Sequence, residues 1–281
     1  MDILARMVHT PRASMIVIGD EILDGHTPDT NSGWTAGWLA QRGIPLERVV
    51  TVPDECAAIG EALGVEMARA HPRLVLTSGG IGSTPDDLTM AAVANHLGVA
   101  LTAEPTLDAR ISQWVQRAAE EGVPIPEDQQ RAMRKMALVP GGSYLLEGAR
   151  GVTPGVAIDL DGGIGADGVT LVILPGVPSE LERIVEDGVA GLLTEVADLP
   201  HVAELRHPYP ESTLSPLLAE LVVDHPDVKV GSYPGKECVV RMKGPEAAVT
   251  AAMRRVRERV AALDDDAVAQ RMRERWQARW E

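Results

Sequence analysis

The stretch "LVLTSGGIGSTPDDLTMAAVANHLG", residues 74–98, decides the fold. Its apolar start predicts a buried strand, its glycines predict a tight turn, and its second half predicts a helix that ends at Gly98. Backbone N–H groups at such a turn and at a helix N-terminus favour a bound phosphate. Where a P-loop would carry Lys-Ser or Lys-Thr, however, this chain has Asp86 and Asp87. The sequence therefore predicts a phosphate cradle that contains two carboxylates.

The same alternation of strand and helix occurs before and after this stretch. Helices that connect successive strands imply right-handed crossovers and a mostly parallel sheet covered on both faces. We therefore predict a three-layer α/β/α domain over residues 13–194, with a Pro-interrupted helical insertion at residues 104–137 and a β-hairpin at residues 151–170. The other predicted strands of this domain are residues 13–20, 46–52 and 169–176, and its other predicted helices are residues 30–43, 55–70 and 178–193.

The pattern changes after residue 200. Residues 200–263 contain three short strand patterns and two helix patterns, which predict a small α+β domain. Residues 264–281 form a predicted helical tail in which Met272, Trp276 and Trp280 follow at a spacing of four. We expect this stripe to pack on the body of the protein or on a partner subunit, and we expect a homo-oligomer.

Composition excludes several classes of partner. The 281 residues carry a formal net charge of −15, whereas nucleic acids and anionic membranes attract clustered Lys and Arg. The cysteines, Cys56 and Cys238, lie far apart, which indicates neither a disulfide framework nor a zinc site. The N-terminal segment has no apolar signal core, and no apolar run reaches membrane-spanning length. We expect a cytoplasmic protein with a small ligand, no nucleic acid and no membrane.

The predicted binding site lies beyond the carboxyl ends of the strands, because the loops of a parallel sheet converge there. Each of these loops carries a carboxylate, and two of them carry glycines that let the backbone approach a ligand. The candidate residues are Gly19, Asp20, Glu21, Asp29, Asn31, Asp54, Ser78, Gly79, Gly80, Gly82, Thr84, Asp86, Asp87, Pro175, Gly176 and Ser179.

A structural explanation competes with the functional one. Thr84, Pro85 and Asp87 fit the N-cap, N1 and N3 positions of a helix, so Asp86 and Asp87 would only complement its dipole. Asp54 likewise fits the start of a helix. The functional interpretation depends on all the acidic loops meeting at one edge of one sheet.

Several motifs together resemble one family. "GDEILDGHTPDTNS" (residues 19–32), "VPDE" (52–55), "TSGGIGSTPDDLT" (77–89), "LPGVPSE" (174–180) and "GSYP" (231–234) occur in that order. This order resembles the CinA-type (competence/damage-inducible) branch of the molybdopterin-binding MogA/MoaB family, from Ala13 to about Leu263.

The resemblance implies a cleft for a phosphorylated pterin or a dinucleotide over the glycine turn. Asp54 and Asp87 match the aspartates that serve catalysis with Mg²⁺ in molybdopterin adenylyltransferases. CinA-type relatives are similar to pyrophosphatases that cleave ADP-ribose or related dinucleotides with Mg²⁺ or another divalent metal, Co²⁺ included. The resemblance also leads us to expect a stand-alone unit without the nicotinamide-nucleotide deamidase domain.

Two carboxylates beside phosphate suggest a role for a metal. A diphosphate among Asp20, Asp54, Asp86 and Asp87 would be repelled unless a cation intervened, and Mg²⁺ is commonly held by one or two carboxylates plus substrate phosphates. We therefore expect Asp54, Asp86 and Asp87 to hold metal and the N–H groups of residues 79–82 to face phosphate. Asp54 would orient or deprotonate the attacking water. Nucleotidyl transfer to molybdopterin and a non-catalytic pterin or nucleotide sensor remain the alternatives.

Overall fold

The computed structural model describes residues 11–193 and 200–280, and the chain divides into two compact units, Met1–Ala197 and Asp198–Glu281. The strands of the first unit are β1 (Arg12–Ile18), β2 (Leu46–Val52), β3 (Arg73–Ser78), β4 (Leu101–Ala103), β5 (Leu138–Pro140), β6 (Tyr144–Leu145), β7 (Val156–Leu160) and β8 (Val169–Leu174). Its helices are α1 (Asp20–Leu23), α2 (Asn31–Gln41), α3 (Cys56–Met67), α4 (Thr89–Leu97), α5 (Pro105–Glu120), α6 (Glu127–Lys135), α7 (Pro178–Ile184) and α8 (Ala190–Leu192), with a π-helical turn at Val185–Val189.

A six-stranded sheet forms the middle layer of the first unit, in the order β2-β1-β3-β8-β7-β6. Strands β2, β1, β3 and β8 run parallel, and β7 and β6 continue the sheet antiparallel. The predicted α/β/α fold with a mostly parallel sheet is confirmed. The chain moves from β1 to β2 on one side and then to β3 on the other, so the strand order reverses between β1 and β3. Ligands of open α/β sheets bind at such a point, beyond the carboxyl ends of the strands.

The two faces of the sheet bury separate apolar cores. Side chains alternate along each strand, so Ile16 of β1 packs with Ile59 and Leu63 of α3 on one face. Its neighbour Met15 packs with Leu39 of α2 and Leu181 of α7 on the other face. Because both cores contain fully buried residues, the sheet is a fixed platform for the loops that leave it.

A charged network ties the amino-terminal halves of the central strands together. The Arg73 guanidinium, which is 1% exposed, donates to Glu47 at 2.8 Å and to the Ser14 hydroxyl at 2.7 Å. Ser14 in turn donates to buried Glu66 of α3 at 2.7 Å. The Arg73 hydrogen bond is the main cause that lowers the pKa of Glu47 below its ordinary value. This network lies in the half of the strands away from the candidate loops.

The second unit is an α+β fold built on a three-stranded antiparallel sheet in the order β10-β11-β9. Its elements are β9 (His201–His207), α9 (Ser215–Asp224), β10 (Lys229–Tyr233), β11 (Cys238–Gly244), α10 (Glu246–Asp264) and α11 (Ala267–Gln277). The predicted tail is largely α11, and it belongs to this unit because the Trp276 indole donates to the Gly235 carbonyl at 3.0 Å. Trp280 packs edge-on against Trp276 and is 51% exposed. Within the described ranges, no helix combines the length and the apolar character needed to cross a membrane.

Candidate functional site

The carboxyl ends of the four parallel strands bring the predicted loops to one edge of the sheet. Two backbone hydrogen bonds lock neighbouring loops together: Gly19 N–H donates to the Val52 carbonyl, and Gly79 N–H donates to the Leu174 carbonyl, each at 3.2 Å. The loops after β1, β2, β3 and β8 therefore form one continuous surface. This is the juxtaposition on which the sequence interpretation depended.

The turn after β3 requires glycine. Gly79 and Gly80 have φ angles of +103° and +65°, and a Cβ on Gly79 would lie 2.2 Å from the Ile18 carbonyl oxygen. The first residue of α4 holds the turn in place, because the Thr89 hydroxyl donates to Gly79 O at 2.8 Å and Thr89 N–H donates to Gly80 O at 2.9 Å. The turn is thus pre-formed and backbone-lined.

Fewer N–H groups of this turn are free to bind phosphate than the four that the sequence predicted at residues 79–82. Gly79 N–H is occupied by Leu174, so it is unable to serve an anion, and the expectation for residue 79 is wrong on this point. Across the described part of the chain, the N–H groups of Gly80, Ile81 and Gly82 have no hydrogen-bond partner. These three donors are left for a ligand.

The helix after the turn begins later than the spacing predicted. It starts at Thr89 instead of Pro85, because Asp87 bonds back to Thr84 and closes a separate turn. Asp87 Oδ2 accepts from Thr84 N–H at 2.8 Å and from the Thr84 hydroxyl at 2.6 Å. Such side-chain bonds compete with helix formation. The interpretation of Asp87 as an N3 helix residue is therefore wrong.

Asp54 lies against the glycine turn. Its Oδ2 accepts from Asp20 N–H at 2.9 Å, and its Oδ1 is 3.3 Å from the position that a Cβ on Gly80 would occupy. Burial, followed by the charges of Asp20, Glu21 and Asp86, raises the pKa of Asp54 above its ordinary value. An opposing contribution comes from the Asp20 hydrogen bond. The site thus contains a carboxylate that gains from a nearby cation or proton.

Asp86 and Asp87 differ in their surroundings. Asp86 is exposed, and the Thr84 side chain, together with the nearby Lys135 ammonium, lowers its pKa. Asp87 is half-buried, and its carboxylate lies 2.7 Å from the position of a Cβ on Gly82. In residues 11–193 and 200–280 no three acidic, His or Cys side chains are grouped to hold a metal ion. Asp54, Asp86 and Asp87 are therefore not a pre-formed three-carboxylate centre.

A cavity of about 370 Å³ opens over the glycine turn. The predicted residues that line it are Glu21, Gly79, Gly80, Gly82, Asp87, Pro175 and Gly176. The other walls are Ile81, which lies within the predicted 79–82 turn, Val177 and Glu180 from the segment that follows β8, and Met136 and Thr153. Glu180 stands in a motif that the sequence had singled out, and it accepts from the Thr153 hydroxyl at 3.0 Å. Thr153 lies in the segment predicted as a hairpin, and Met136 comes from the helical insertion, where no motif marks it.

A second cavity of about 120 Å³ adjoins the first and shares Glu21 and Gly176 with it. It contains the predicted residues Asp29, Asn31 and Ser78. The Asn31 amide donates to Ser78 Oγ and to the Gly176 carbonyl, each at 2.9 Å. Its carbonyl oxygen is buried and has no partner among the described residues, so it is an acceptor available to a ligand.

The remaining predicted residues lie outside both cavities. Gly19 is buried behind Glu21, Asp20 and Thr84 are exposed, and Ser179 is exposed in the first turn of α7. Asp54 and Asp86 lie beside the glycine turn without lining its cavity. Substrate contact through Gly19, Thr84 or Ser179 thus has no support from the cavity geometry.

Residues 14–195 match the family described as a probable molybdopterin binding domain. The chain belongs to this family. A protein from Aeropyrum pernix is 37% identical over 231 residues, which cover 81% of this chain and 81% of that protein. A CinA-like protein from Akkermansia muciniphila is 35% identical over 198 residues, which cover 69% of this chain and 44% of that protein.

The chain is also similar to a solved structure, that of CinA from Thermoplasma acidophilum, a protein of unknown function. The TM-score is 0.54 and the sequence identity is 29%. The match covers 66% of this chain and 99% of the T. acidophilum chain. These likenesses confirm the resemblance to the CinA-type branch of the family.

Proposed function

We propose that the chain is a divalent-metal-dependent pyrophosphatase that hydrolyses the diphosphate of ADP-ribose or a related dinucleotide. One observation carries this proposal: the turn whose N–H groups at Gly80, Ile81 and Gly82 have no partner among the described residues lies against Asp54 at Gly80. The pKa of Asp54 is raised by burial and by three other carboxylates. An anion-binding turn next to a carboxylate that accepts a proton readily is the pair of features that water attack on a phosphate needs.

The glycine turn supplies the phosphate contacts. The N–H groups of Gly80, Ile81 and Gly82 are fixed dipoles, and the glycines leave room for a phosphate to approach the backbone. Because Thr89 holds the carbonyls of this turn, the donors are pre-organised and need little rearrangement on binding.

Asp54 is the proposed base. Oδ2 is held by Asp20 N–H, which orients the carboxylate and leaves Oδ1 toward the glycine turn. Water would give a proton to Oδ1 as its oxygen bonds to one phosphorus, and the bond from that phosphorus to the bridging oxygen would break. ADP-ribose would then yield AMP and ribose 5-phosphate.

The surrounding carboxylates fit a metal held partly by substrate. Asp87 would offer carboxylate oxygens, in keeping with the one or two protein carboxylates that Mg²⁺ commonly uses. Asp54 would remain the base, because direct ligation by the cation would lower its affinity for the proton. Asp86 fits less well because it is exposed and near Lys135. When bound, Mg²⁺ or Co²⁺ would offset the phosphate charge and polarise the phosphorus.

Family membership favours a second candidate, a molybdopterin-binding protein that transfers a nucleotide. A pterin carries amino and ring N–H donors, and the unpartnered Asn31 carbonyl oxygen is an acceptor that would suit them. The same acceptor suits a ribose hydroxyl, so Asn31 is compatible with both candidates. A sensor without catalysis would share these contacts and lack turnover.

The test compares ADP-ribose hydrolysis by the parent with that of Asp54→Asn and Asp87→Asn at one Mg²⁺ concentration. General bases contribute about 10²- to 10⁴-fold, so Asp54→Asn should lose at least about a hundredfold in turnover, followed as release of AMP. Asp87→Asn should also lose most of the turnover, because it would hold the metal less well. The double variant should be little slower than either single one if the two groups act as a unit. Asp128→Asn, an exposed carboxylate on α6, is the matched control. Full turnover in both single variants would contradict the proposal.

A further inference from the structure

A third cavity, of about 330 Å³, lies between helix α5 and the loop before β7. It is lined by Arg110, Gln113, Trp114 and Arg117 from the helix and by Gly151 and Val152 from the loop. The four helical residues follow the i, i+3, i+4, i+7 spacing, so they occupy one face of α5. None of these residues belongs to the site proposed above.

The chemistry of this cavity is unlike that of the acidic site. Arg117 is exposed and has no carboxylate or hydrogen-bond partner in the described ranges, although the chain carries a net charge of −15. The Trp114 side chain is 51% exposed and stacks on no other aromatic ring in the part of the chain that the structure describes. A solvent-facing indole is suited to stack on a planar ring, and the neighbouring guanidinium is suited to negative charge elsewhere on the same ligand.

The opposite wall of the cavity is held in place. Arg110 donates to the carbonyl of Ala149, and Arg183 of α7 donates to the carbonyl of Gly148 at 2.9 Å. Two helices thus fix the loop that faces Trp114. The wall opposite Trp114 is therefore fixed, and we call the space between the two the slot.

The loop also connects this slot to the phosphate site. Val152 lines the slot, and the next residue, Thr153, lines the cavity over the glycine turn. Consecutive residues are about 3.8 Å apart at Cα, so one segment is a wall of both cavities. The two cavities are therefore neighbours along this segment.

We propose that the cavity formed by Arg110, Gln113, Trp114 and Arg117 binds the heterocyclic base of the phosphorylated ligand. This inference rests on the proposed function for the location of the phosphate, and it adds the element that recognises the base. The base stacks on Trp114, the Gln113 amide offers a donor and an acceptor to its edge, and Arg117 complements the negative charge of the ligand.

The test measures the Kd of AMP and of ribose 5-phosphate, which lacks a base, by calorimetry with the full chain and Mg²⁺. Loss of a base-stacking aromatic ring weakens binding by about tenfold or more, so Trp114→Ala should weaken AMP by that factor. Ribose 5-phosphate should change by less than about twofold, because it has no ring to lose. Trp114→Phe should restore most of the AMP affinity. Trp280→Ala, whose indole is also 51% exposed, is the control and should bind AMP like the parent.

Several outcomes would overturn the inference. In the first, the parent binds AMP no better than ribose 5-phosphate. In the second, Trp114→Ala binds AMP like the parent. In the third, Trp114→Ala differs from the parent only in its molar mass, measured by light scattering. The last result would make the slot an interface between copies. If AMP affinity depends on Trp114 but ADP-ribose is not hydrolysed, the base slot stands and the pyrophosphatase proposal fails. If Trp114→Ala hydrolyses ADP-ribose with the same KM as the parent, the pyrophosphatase proposal stands and the base slot fails.

Discussion

Asp54 shows how one residue's surroundings define a candidate role. Its carboxylate is held by Asp20 N–H at 2.9 Å and is surrounded by other carboxylates, so its charge is stabilised by one hydrogen bond and opposed by burial and repulsion. A residue that served only as a helix N-terminus would face the backbone donors without this repulsion. Burial and repulsion raise the free energy of the ionised Asp54 carboxylate, and a bound cation would lower it.

The raised pKa of Asp54 leads to a prediction about stability. Between its ordinary value of 3.8 and its raised value, the folded protein binds more protons than the unfolded chain, so the free energy of unfolding falls as pH rises through that window. Asp54→Asn carries no ionisable group and lacks this fall. Without divalent metal, the variant should melt at the same or a higher temperature than the parent near pH 7, and the two should converge at about pH 3.

Calorimetric scans of both proteins across that pH range, with chelator present, check this expectation. The control is Asp128→Asn, whose carboxylate is exposed. An Asp54→Asn variant that is less stable than the parent near pH 7 and equal to it near pH 3 would mean that the ionised carboxylate stabilises the fold. Asp54 would then be a structural cap.

At the scale of elements, the sequence was sufficient wherever burial determines the pattern. Strands β1, β3 and β8 are continuous apolar runs because both faces of the sheet are covered, and the hairpin of β7 and β8 was marked by its Gly/Asp turn. The family motifs placed the acidic loops, and the shared direction of the four strands placed them at one edge. These features are local and repeat along the chain.

The start of α4 and the walls of the cavities depend on contacts that the local sequence pattern does not predict. Thr84, Pro85 and Asp87 match the pattern of a helix start. The hydrogen bonds between Asp87 and Thr84 close a turn instead, and the helix begins at Thr89. Gly79 N–H is occupied by a carbonyl nearly a hundred residues away in β8. Met136 and the slot around Trp114 arise from the docking of the helical insertion, for which the sequence offered no motif.

The charged network across β1, β2 and β3 supports a prediction at this scale. Glu47→Gln would leave the buried Arg73 guanidinium without its carboxylate, and loss of the partner of a buried donor costs about 1–3 kcal/mol. Arg73 keeps its bonds to Ser14 and to the Ala70 carbonyl, and Glu47 itself is exposed, so we expect a loss of about 1 kcal/mol, the low end of that range. The melting temperature of the first unit should fall by about 2–4 °C near pH 7.

The pH dependence of this loss follows from the lowered pKa of Glu47. The stabilisation is present above the ordinary value of 4.5 and is lost as pH falls through the lowered value, so parent and variant should converge in acid. The surface pair of Glu127 and Arg131, 4.0 Å apart, offers the control variant Glu127→Gln, which should change the melting temperature little. An unchanged melting temperature for Glu47→Gln would mean that Arg73 needs no carboxylate.

At the scale of the whole molecule, the two units differ in whether they contain residues of the proposed sites. Every residue of the candidate site, and every residue of the base slot, lies in the first unit. The second unit has its own core, which includes Tyr209, Leu221, Val240, Met253 and Val256. A match that covers 66% of this chain accounts for 99% of the crystallised T. acidophilum chain, so a domain of this family is found there without a counterpart of the whole second unit.

This division leads to the last prediction. Residues 1–197 produced alone should fold, because both faces of the six-stranded sheet bury their cores within that unit. Ligands stabilise a protein by RT ln(1 + [L]/Kd), or about 2.7 kcal/mol at a hundredfold excess over Kd. If the first unit holds the complete site, AMP with Mg²⁺ should raise its melting temperature as much as it raises that of the full chain. A fragment that melts cooperatively and is not stabilised, while the full chain is, would show that the second unit contributes to the site. Equal shifts would assign ligand binding to the first unit, and comparison of the two proteins in the AMP-release assay would then isolate any effect of the second unit on turnover.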